Sequence, residues 1–293
     1  MPFKSGFISI IGRPNVGKST LLNTMLGEKI SIVSEKPQTT RNTIRGVKNF
    51  EGGQIVFLDT PGVHEGGGLL NRFMVKEALG SLRDVDGVLF MADATRAAPD
   101  EDDLAIIREL KRLRCPVVLA INKVDRVDKR SLLPLIGEYS RLFPFKDIFP
   151  VSALKGAGVG EVEKALEALL PEGPKYFPED IVTDTPVRFL AGEIVREKVF
   201  QFTHEEVPYS VAVVVEKFEE KKDIISISAV INVERDSQKG IIIGKKGAML
   251  KRIGTAARLD IEKLLASRVY LELFVRVQKE WTRSPASLKG FGY

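Results

Sequence analysis

The sequence has a single cysteine, no long apolar run, no internal repeat and no low-complexity tract. Cys115 cannot form an internal disulfide, which excludes a disulfide-stapled domain, and we interpret it as a small core residue. No apolar run approaches the roughly 18 residues that span a bilayer. The first apolar run, FISII, is interrupted by Gly12 and Arg13, unlike the core of a signal peptide. We therefore expect a cytoplasmic protein without a transmembrane segment.

The net charge of +5 is distributed unevenly along the 293 residues. Residues 1–180 contain 25 Lys and Arg against 24 Asp and Glu, whereas residues 235–293 contain 13 against 5. A basic C-terminal segment indicates either a solvated charged face or a polyanionic partner. Charge alone leaves both interpretations open.

From Gly6 to Leu170, apolar runs of strand length alternate with amphipathic helical segments. This pattern predicts an α/β domain with a mostly parallel sheet covered by helices on both faces. Ligands of such sheets bind at the carboxyl ends of the strands, so the loops that follow the strands should carry the chemistry. The predicted strands are FISII, QIVFLD, GVLFMAD, PVVLAIN and DIFPVSA.

A second, smaller α+β domain is predicted after a proline-rich linker, PEGPKYFPEDIVTDTP. The order there is helix, two strands joined as a hairpin across Glu220, Lys221 and Lys222, two helices and a final strand. The predicted bounds are 1–173 for the first domain, 174–185 for the linker and 186–293 for the second domain.

The loop after the first predicted strand matches G-x-x-x-x-G-K-S, the phosphate-binding P-loop. Its glycines let the backbone approach a β-phosphate, Lys18 bridges the β- and γ-phosphates, and the Ser19 hydroxyl can bind Mg²⁺. The predicted nucleotide-binding residues in this loop are Gly12, Arg13, Pro14, Asn15, Val16, Gly17, Lys18, Ser19 and Thr20.

Three further strand ends indicate that the nucleotide is GTP or GDP. After QIVFL come Asp59, Thr60, Pro61 and Gly62, where Asp59 can hold Mg²⁺ through water and the Gly62 N–H can reach a γ-phosphate. After PVVLAI, Asp125 of the motif Asn122-Lys123-Val124-Asp125 can accept two hydrogen bonds from guanine, a donor pair that adenine lacks. After DIFPV, a backbone N–H of Ser152, Ala153 or Leu154 could meet guanine O6.

These motifs resemble the translation-factor-related class of P-loop GTPases. The resemblance implies a first switch segment at residues 34–43, with Thr40 as the Mg²⁺ ligand and Thr39 as the alternative, and a second switch at residues 59–68 that includes the run Gly66-Gly67-Gly68. Lys18, Thr40 and Gly62 are the implied catalytic groups. The resemblance also implies that Asn15 binds K⁺ beside the phosphates, although it could equally serve only the turn.

Val63 follows the second motif at the place where Ras-like enzymes carry a water-orienting glutamine, and His64 comes next. Because the Val63 side chain can neither donate nor accept a hydrogen bond, we expect slow unaided hydrolysis. A single loop histidine is more often a bystander than a general base, and this is the expectation for His64.

A second glycine loop, Gly244-Lys245-Lys246-Gly247, has glycines three residues apart and is no second P-loop. It fits the G-x-x-G turn of a KH domain, in which backbone N–H groups and lysines clamp single-stranded nucleic acid, and the element order matches the type II arrangement. The alternative is a basic domain with a purely structural role. The predicted RNA-binding residues are Ile243, Gly244, Lys245, Lys246, Gly247, Lys251, Arg252 and Arg258.

A GTPase domain followed by a type II KH domain resembles the Era family over essentially the whole chain. The resemblance implies a GTP/GDP switch with Mg²⁺ that binds the 3′ end of 16S ribosomal RNA, assists maturation of the small (30S) ribosomal subunit and associates peripherally with the inner membrane. Two alternatives remain: a membrane-surface signalling GTPase that meets anionic lipid, and an RNA-binding protein that never turns GTP over.

Overall fold

The computed structural model describes residues 2–34, 36–64 and 66–293. Glu35 and Glu65, which fall in the two predicted switch segments, lie outside the described residues. The chain divides into two compact units: the first comprises Met1–Gly67 and Asn71–Asp184, and the second comprises Gly68–Leu70 and Thr185–Tyr293. Among the described residues, no helix combines the length and apolarity needed to cross a membrane.

The first unit contains a six-stranded sheet in the order β2-β3-β1-β4-β5-β6. Its strands are β1 (Lys4–Gly12), β2 (Ile44–Phe50), β3 (Gly53–Asp59), β4 (Gly87–Asp93), β5 (Val117–Asn122) and β6 (Asp147–Pro150). Only β2 runs antiparallel to its neighbour, β3, and the other pairs are parallel. The predicted mostly parallel sheet is confirmed.

Helices cover both faces of this sheet. Alternate residues of a strand face opposite sides, and apolar residues lie on both sides here. The helices are α1 (Lys18–Leu26), α2 (Leu69–Gly80), α3 (Glu101–Leu110), α4 (Leu132–Leu142) and α5 (Val159–Leu169). Along β4, Leu89 packs with residues of α1 and α5, whereas Phe90 packs with residues of α3 and α4. All seven residues of β4 are buried, so burial on both faces accounts for its continuous apolar run.

The proline-rich stretch that was predicted as a linker is bonded to the first unit over much of its length. The backbone N–H of Val47 donates to the carbonyl of Val182 at 2.7 Å, and Gln54 Nε2 donates to the carbonyl of Phe177 at 2.9 Å. The first unit consequently continues to Asp184.

The second unit contains a three-stranded sheet in the order β7-β8-β9. Its elements are α6 (Val187–Phe202), β7 (Ala212–Lys221), β8 (Ile224–Val233), α7 (Asp236–Ile243), α8 (Ala248–Leu265), β9 (Val269–Val277) and α9 (Pro285–Gly290). The first two strands form an antiparallel hairpin, and β9 pairs parallel to β8. The predicted order of helices and strands is confirmed.

One face of the central strand β8 builds the core of the second unit. Alternate residues, among them Ile227, Ala229 and Ile231, are buried against side chains of α6 and α8. The C-terminal segment packs on the same unit, since Trp281 is fully buried and its Nε1 donates to the carbonyl of Ser210 at 2.9 Å.

Candidate functional site

The predicted nucleotide motifs meet at the carboxyl edge of the six-stranded sheet. Between β1 and α1 the P-loop makes a tight turn, with Asn15 and Gly17 at positive φ angles of 62° and 99°. A Cβ atom on Gly12 would lie 2.6 Å from the carbonyl oxygen of Met91, and one on Gly17 would lie 2.3 Å from Asn122 Nδ2. Both positions therefore require glycine because neighbouring strands approach the loop too closely for a side chain.

Lys18 is enclosed by the loop that precedes it. Its Nζ donates to the carbonyl oxygens of Gly12 and Arg13, each at 3.0 Å. Burial lowers the pKa of Lys18 to about 8, against the opposing attraction of the Asp59 carboxylate. A phosphate at this place would stabilise the charged form of the amine, so the lysine is suited to bind one.

Three oxygen-bearing side chains predicted to bind Mg²⁺ converge beside Lys18. The Ser19 hydroxyl donates to Asp59 Oδ2 at 2.7 Å and lies 2.8 Å from Thr40 Oγ1. Asp59 is fully buried and its Oδ1 has no hydrogen-bond partner among the described residues. Burial raises the pKa of Asp59 even though Ser19 and Lys18 act against this shift. A buried carboxylate oxygen without a donor, beside two hydroxyls, fits a hard cation such as Mg²⁺.

The two candidate threonines of the first switch differ in their hydrogen bonds. Thr40 joins the oxygen cluster, whereas Thr39 Oγ1 donates back to the carbonyl of Lys36 at 2.7 Å. Both line the cavity above the P-loop, together with Gln38 and Gly62. The geometry favours Thr40 as the metal ligand.

The segment after β3 passes directly over the P-loop. A Cβ on Gly62 would lie 2.6 Å from Pro14 Cα, and the backbone N–H of Val63 donates to the carbonyl of Gly12 at 3.2 Å. The Val63 side chain is buried in the apolar cluster shared with α3 and α4. It points into the core and leaves no side chain at this position to orient water.

His64 is held away from the phosphate cavity. Its Nδ1 lies 2.9 Å from Asp102 Oδ2 in the first turn of α3, and its ring lines a groove between α2 and α3 with Asn71 and Arg72. This placement supports the interpretation of His64 as a bystander to hydrolysis.

Asn122 links the P-loop to the loop after β6. Its Nδ2 donates to the carbonyl of Val16 at 2.7 Å, and its Oδ1 accepts from the backbone N–H of Ala153 at 2.8 Å. The N–H of Ser152 donates to the carbonyl of Ala157. Of the three residues predicted to meet guanine O6, Leu154 is therefore the remaining candidate donor.

Asp125, the predicted guanine acceptor, is exposed rather than buried. Its Oδ1 accepts from the Ser152 hydroxyl at 2.6 Å, and this hydrogen bond is the largest cause of its lowered pKa. Because the Asp125 carboxylate is exposed here, selectivity for guanine would come from the base covering it on binding.

The sequence motifs do not indicate the ion pair between Arg13 and Asp93. Arg13 was predicted to bind nucleotide, yet its guanidinium turns toward Asp93 at the end of β4 and Asp100 at the start of α3. Asp93 stands at the carboxyl end of a predicted strand, GVLFMAD. Because ligands bind at the carboxyl ends of strands, this position is a sequence signal that could have identified Asp93.

The second glycine loop forms a sharp turn between α7 and α8. Gly244, Lys246 and Gly247 have positive φ angles of 70°, 51° and 79°, and the side chains of Lys245 and Lys246 are exposed. The turn thus displays two lysines at the start of a long helix, as predicted.

A groove next to this turn separates α8 from β9. Its apolar lining is Leu250, Leu271 and Leu273, and its polar lining includes Lys251 and Arg258. Arg252 was also predicted to bind RNA, but its guanidinium lies 4.1 Å from the centre of the Phe202 ring and is not part of the groove lining. Lys251 and Arg258 therefore line the same groove, whereas Arg252 does not line it.

Known proteins resemble this chain over both units. A family model described as a 50S ribosome-binding GTPase matches residues 7–123, and a KH domain model matches residues 206–282. The structure of Era in complex with MgGDPNP and nucleotides 1506–1542 of 16S ribosomal RNA superposes with a TM-score of 0.96 and 46% identity, covering 99% of each chain. Aquifex aeolicus Era bound to GDP and AlF₄⁻ gives a TM-score of 0.95, again at 46% identity and 99% coverage of each chain.

Relatives of similar length show higher identity. A GTPase Era from Syntrophus aciditrophicus is 54% identical, with 99% of this chain and 95% of that protein aligned. A GTPase Era from Geotalea daltonii is 59% identical over 292 residues, with 99% of this chain and 98% of that protein aligned. Identity at this level across nearly the full length of both sequences shows that the chain belongs to the Era family of GTPases.

Proposed function

We propose that this Era-family GTPase binds the 3′ end of 16S ribosomal RNA through the Gly244–Gly247 turn and the groove between α8 and β9, and that it assists assembly of the small (30S) ribosomal subunit. The observation that carries the proposal is the apolar groove beside two exposed lysines in a left-handed turn. Bases can stack on leucines while the turn and its lysines hold the phosphates. The related structure named above contains Era with 16S RNA nucleotides, which supports the same choice of RNA.

The decisive experiment measures binding of the full chain, loaded with a GTP analogue, to a 16S 3′-end oligonucleotide across a salt series. In the variant Lys245→Glu/Lys246→Glu, we expect weaker binding and a log–log salt slope shallower by about 1.4, since each lost phosphate contact on a single strand contributes ~0.7.

The matched control reverses the same amount of charge in the same unit but outside the groove. Arg283→Glu/Lys289→Glu changes two exposed residues of the C-terminal segment. We expect this control to keep the slope of the parent chain. Equal losses in both variants would indicate a diffuse electrostatic field, and unchanged binding in the lysine variant would contradict the proposal.

We further propose that hydrolysis is slow without a partner and is stimulated by K⁺ bound beside the phosphates through Asn15. Asn15 lines the same cavity as Lys18, Ser19 and Thr40 and has a positive φ. Asn15→Gly keeps that backbone conformation available and removes the side-chain oxygen. Turnover is compared in potassium and sodium salts at equal ionic strength. The parent chain should be faster in potassium and the variant indifferent, whereas equal rates in the parent chain would contradict the potassium site.

Any association with the inner membrane is proposed to be peripheral and to use the basic face around Lys245, Lys246 and Lys251. Anionic lipid is the physical alternative to RNA for such a face. Flotation with vesicles of anionic and zwitterionic lipid, with and without the oligonucleotide, separates the two partners. RNA should displace the protein from anionic vesicles, and flotation that ignores RNA would favour a separate lipid site.

A further inference from the structure

A buried carboxylate outside the predicted nucleotide motifs lies at the end of β4. Asp93 is 6% exposed. Its Oδ1 accepts from the backbone N–H of Thr95 at 2.9 Å and from the Thr95 hydroxyl at 2.7 Å. Its Oδ2 accepts from Lys123 Nζ at 2.6 Å and lies 3.4 Å from Arg13 Nη2. One side chain thus contacts two cations and its own turn.

The two cations belong to different nucleotide motifs. Arg13 is in the P-loop, and Lys123 is in the Asn122–Asp125 motif after β5. Arg13 also donates from Nη1 to Asp100 Oδ2 at 2.9 Å, and Asp100 is the N-cap residue of α3. The phosphate loop is therefore joined through Asp93 to the base loop and through Asp100 to the start of a helix.

Hydrogen bonds within the protein keep the Asp93 carboxyl ionised. Burial pushes the pKa of Asp93 upward, but hydrogen bonds from Lys123 and Thr95 outweigh burial and hold it below its ordinary value. Removing the buried anion would leave two cations that are poorly solvated and lack their partner, which is unfavourable. The side chain of Arg13 is similarly shielded, with the residue 8% exposed.

Both cations lie in loops whose residues are predicted to bind the nucleotide. The Arg13 carbonyl accepts from Lys18 Nζ, and Lys123 lies between Asn122 and Asp125 with a left-handed φ of 68°. The Asn122 side chain joins the same two loops, since its Nδ2 donates to the carbonyl of Val16 at 2.7 Å, and the ion pairs of Asp93 are a second connection between them. We propose that Asp93 is a positioning residue that holds the P-loop and the base loop at a fixed distance through Arg13 and Lys123, and thereby sets the lifetime of bound GDP and GTP.

The test is the substitution Asp93→Asn in the full chain. The amide keeps the shape and an oxygen for Thr95 but removes the negative charge between Arg13 and Lys123. Dissociation of fluorescent GDP and of a fluorescent GTP analogue should both accelerate at least ~10-fold. Hydrolysis of preloaded GTP in a single turnover should change less than ~2-fold, because the contacts of Asp93 among the described residues are with Thr95, Lys123 and Arg13 and not with an implied catalytic group. A general structural defect would be expected to change both nucleotide dissociation and single-turnover hydrolysis.

A control and a second variant keep the result interpretable. Glu163→Gln breaks the partly buried Lys48–Glu163 pair, which joins β2 to α5 away from the nucleotide loops, and should leave dissociation unchanged. Arg13→Gln removes one arm of the arrangement and should accelerate dissociation less than Asp93→Asn. If Asp93→Asn does not fold, Arg13→Gln alone provides the test. Parent-like dissociation in the folded variants, or equal acceleration in Glu163→Gln, would overturn the proposal.

Discussion

The lowered pKa of Lys18 affects both folding stability and nucleotide binding. Burial brings the pKa of Lys18 down to about 8, whereas an unfolded lysine has a pKa of about 10.4. Between these values the unfolded chain binds more protons, so this residue makes folding stability rise with pH across that window. Its buried position therefore costs stability at neutral pH, where the amine is charged.

Nucleotide binding should reverse this shift because phosphates stabilise the charged amine. We predict that GDP binding at pH 9 is accompanied by uptake of up to ~0.9 proton, and that affinity falls as the pH rises above about 8. Titration calorimetry in two buffers of different ionisation enthalpy measures the uptake. No proton exchange at pH 9 would contradict the assignment of Lys18 to the phosphates.

Thr40 and Thr39 provide a matched pair of adjacent residues. Because the Thr40 hydroxyl lies 2.8 Å from the Ser19 hydroxyl, Thr40→Ala should weaken binding of a Mg²⁺-loaded GTP analogue by ~10-fold, or ~1.4 kcal/mol, and leave GDP affinity within ~2-fold. Thr39→Ala should change both affinities less than ~2-fold. Thr40→Ser should restore most of the loss. A larger effect of Thr39→Ala would reverse the assignment.

At the scale of residues, the structure agrees best with the sequence pattern where a motif fixes both residue type and spacing, and least for side chains whose direction depends on tertiary packing. The P-loop and Ser19, Asp59 and Thr40 come together as expected, although their roles in binding stay predictions. Arg252 stacks on Phe202, which belongs to a helix that precedes it by about 50 residues in the chain, and no local pattern indicates that contact.

At the scale of elements, continuous apolar runs were predictable and mixed sequences were not. β4 and β5 are buried along their whole length, and both were predicted. β2 was missed because its sequence, IRGVKNF, carries Arg, Gly, Lys and Asn and has no apolar run. Its strand conformation depends on antiparallel pairing with β3, which is a non-local interaction.

α6 shows a second limit of the sequence pattern. Its residues from Leu190 to Phe200 are all buried, including Glu193, Arg196 and Lys198. Ionic partners account for this burial: Arg196 pairs with Glu193, and Lys198 Nζ lies 2.5 Å from Asp260 Oδ2 on α8. Charged residues at these positions would ordinarily indicate a solvated face, so the sequence predicts the helix but not its burial.

The C-terminal segment is predicted to be an integral part of the second unit. Trp281 is fully buried, with its ring centre 5.2 Å from Phe291 and 5.9 Å from Tyr293. Trp281→Ala should destabilise the unit by about 3–5 kcal/mol, the range for deletion of a large buried aromatic side chain. Urea unfolding followed by circular dichroism measures the loss, with Lys289→Ala as an exposed control. A loss below ~1 kcal/mol would indicate that the segment is dispensable.

At the scale of the whole molecule, the chain combines a GTPase unit with a KH domain. We predict that the two ligands are coupled: RNA affinity should be at least ~5-fold higher with a GTP analogue than with GDP, corresponding to ~1 kcal/mol. Coupling is reciprocal, so RNA should raise the preference of the protein for the GTP analogue over GDP by the same factor. Equal RNA affinities in the two nucleotide states would contradict the coupling.

Two residues that are unique in the sequence belong to different units. Cys115 is in the first unit and Trp281 is in the second. The chain therefore carries one tryptophan donor in its KH-containing unit and one thiol for attaching an energy-transfer acceptor in its GTPase unit. Burial raises the pKa of the Cys115 thiol, so labelling should proceed faster in mildly alkaline buffer. Energy transfer between the two labels can then be compared in the GTP-analogue and GDP states without any substitution.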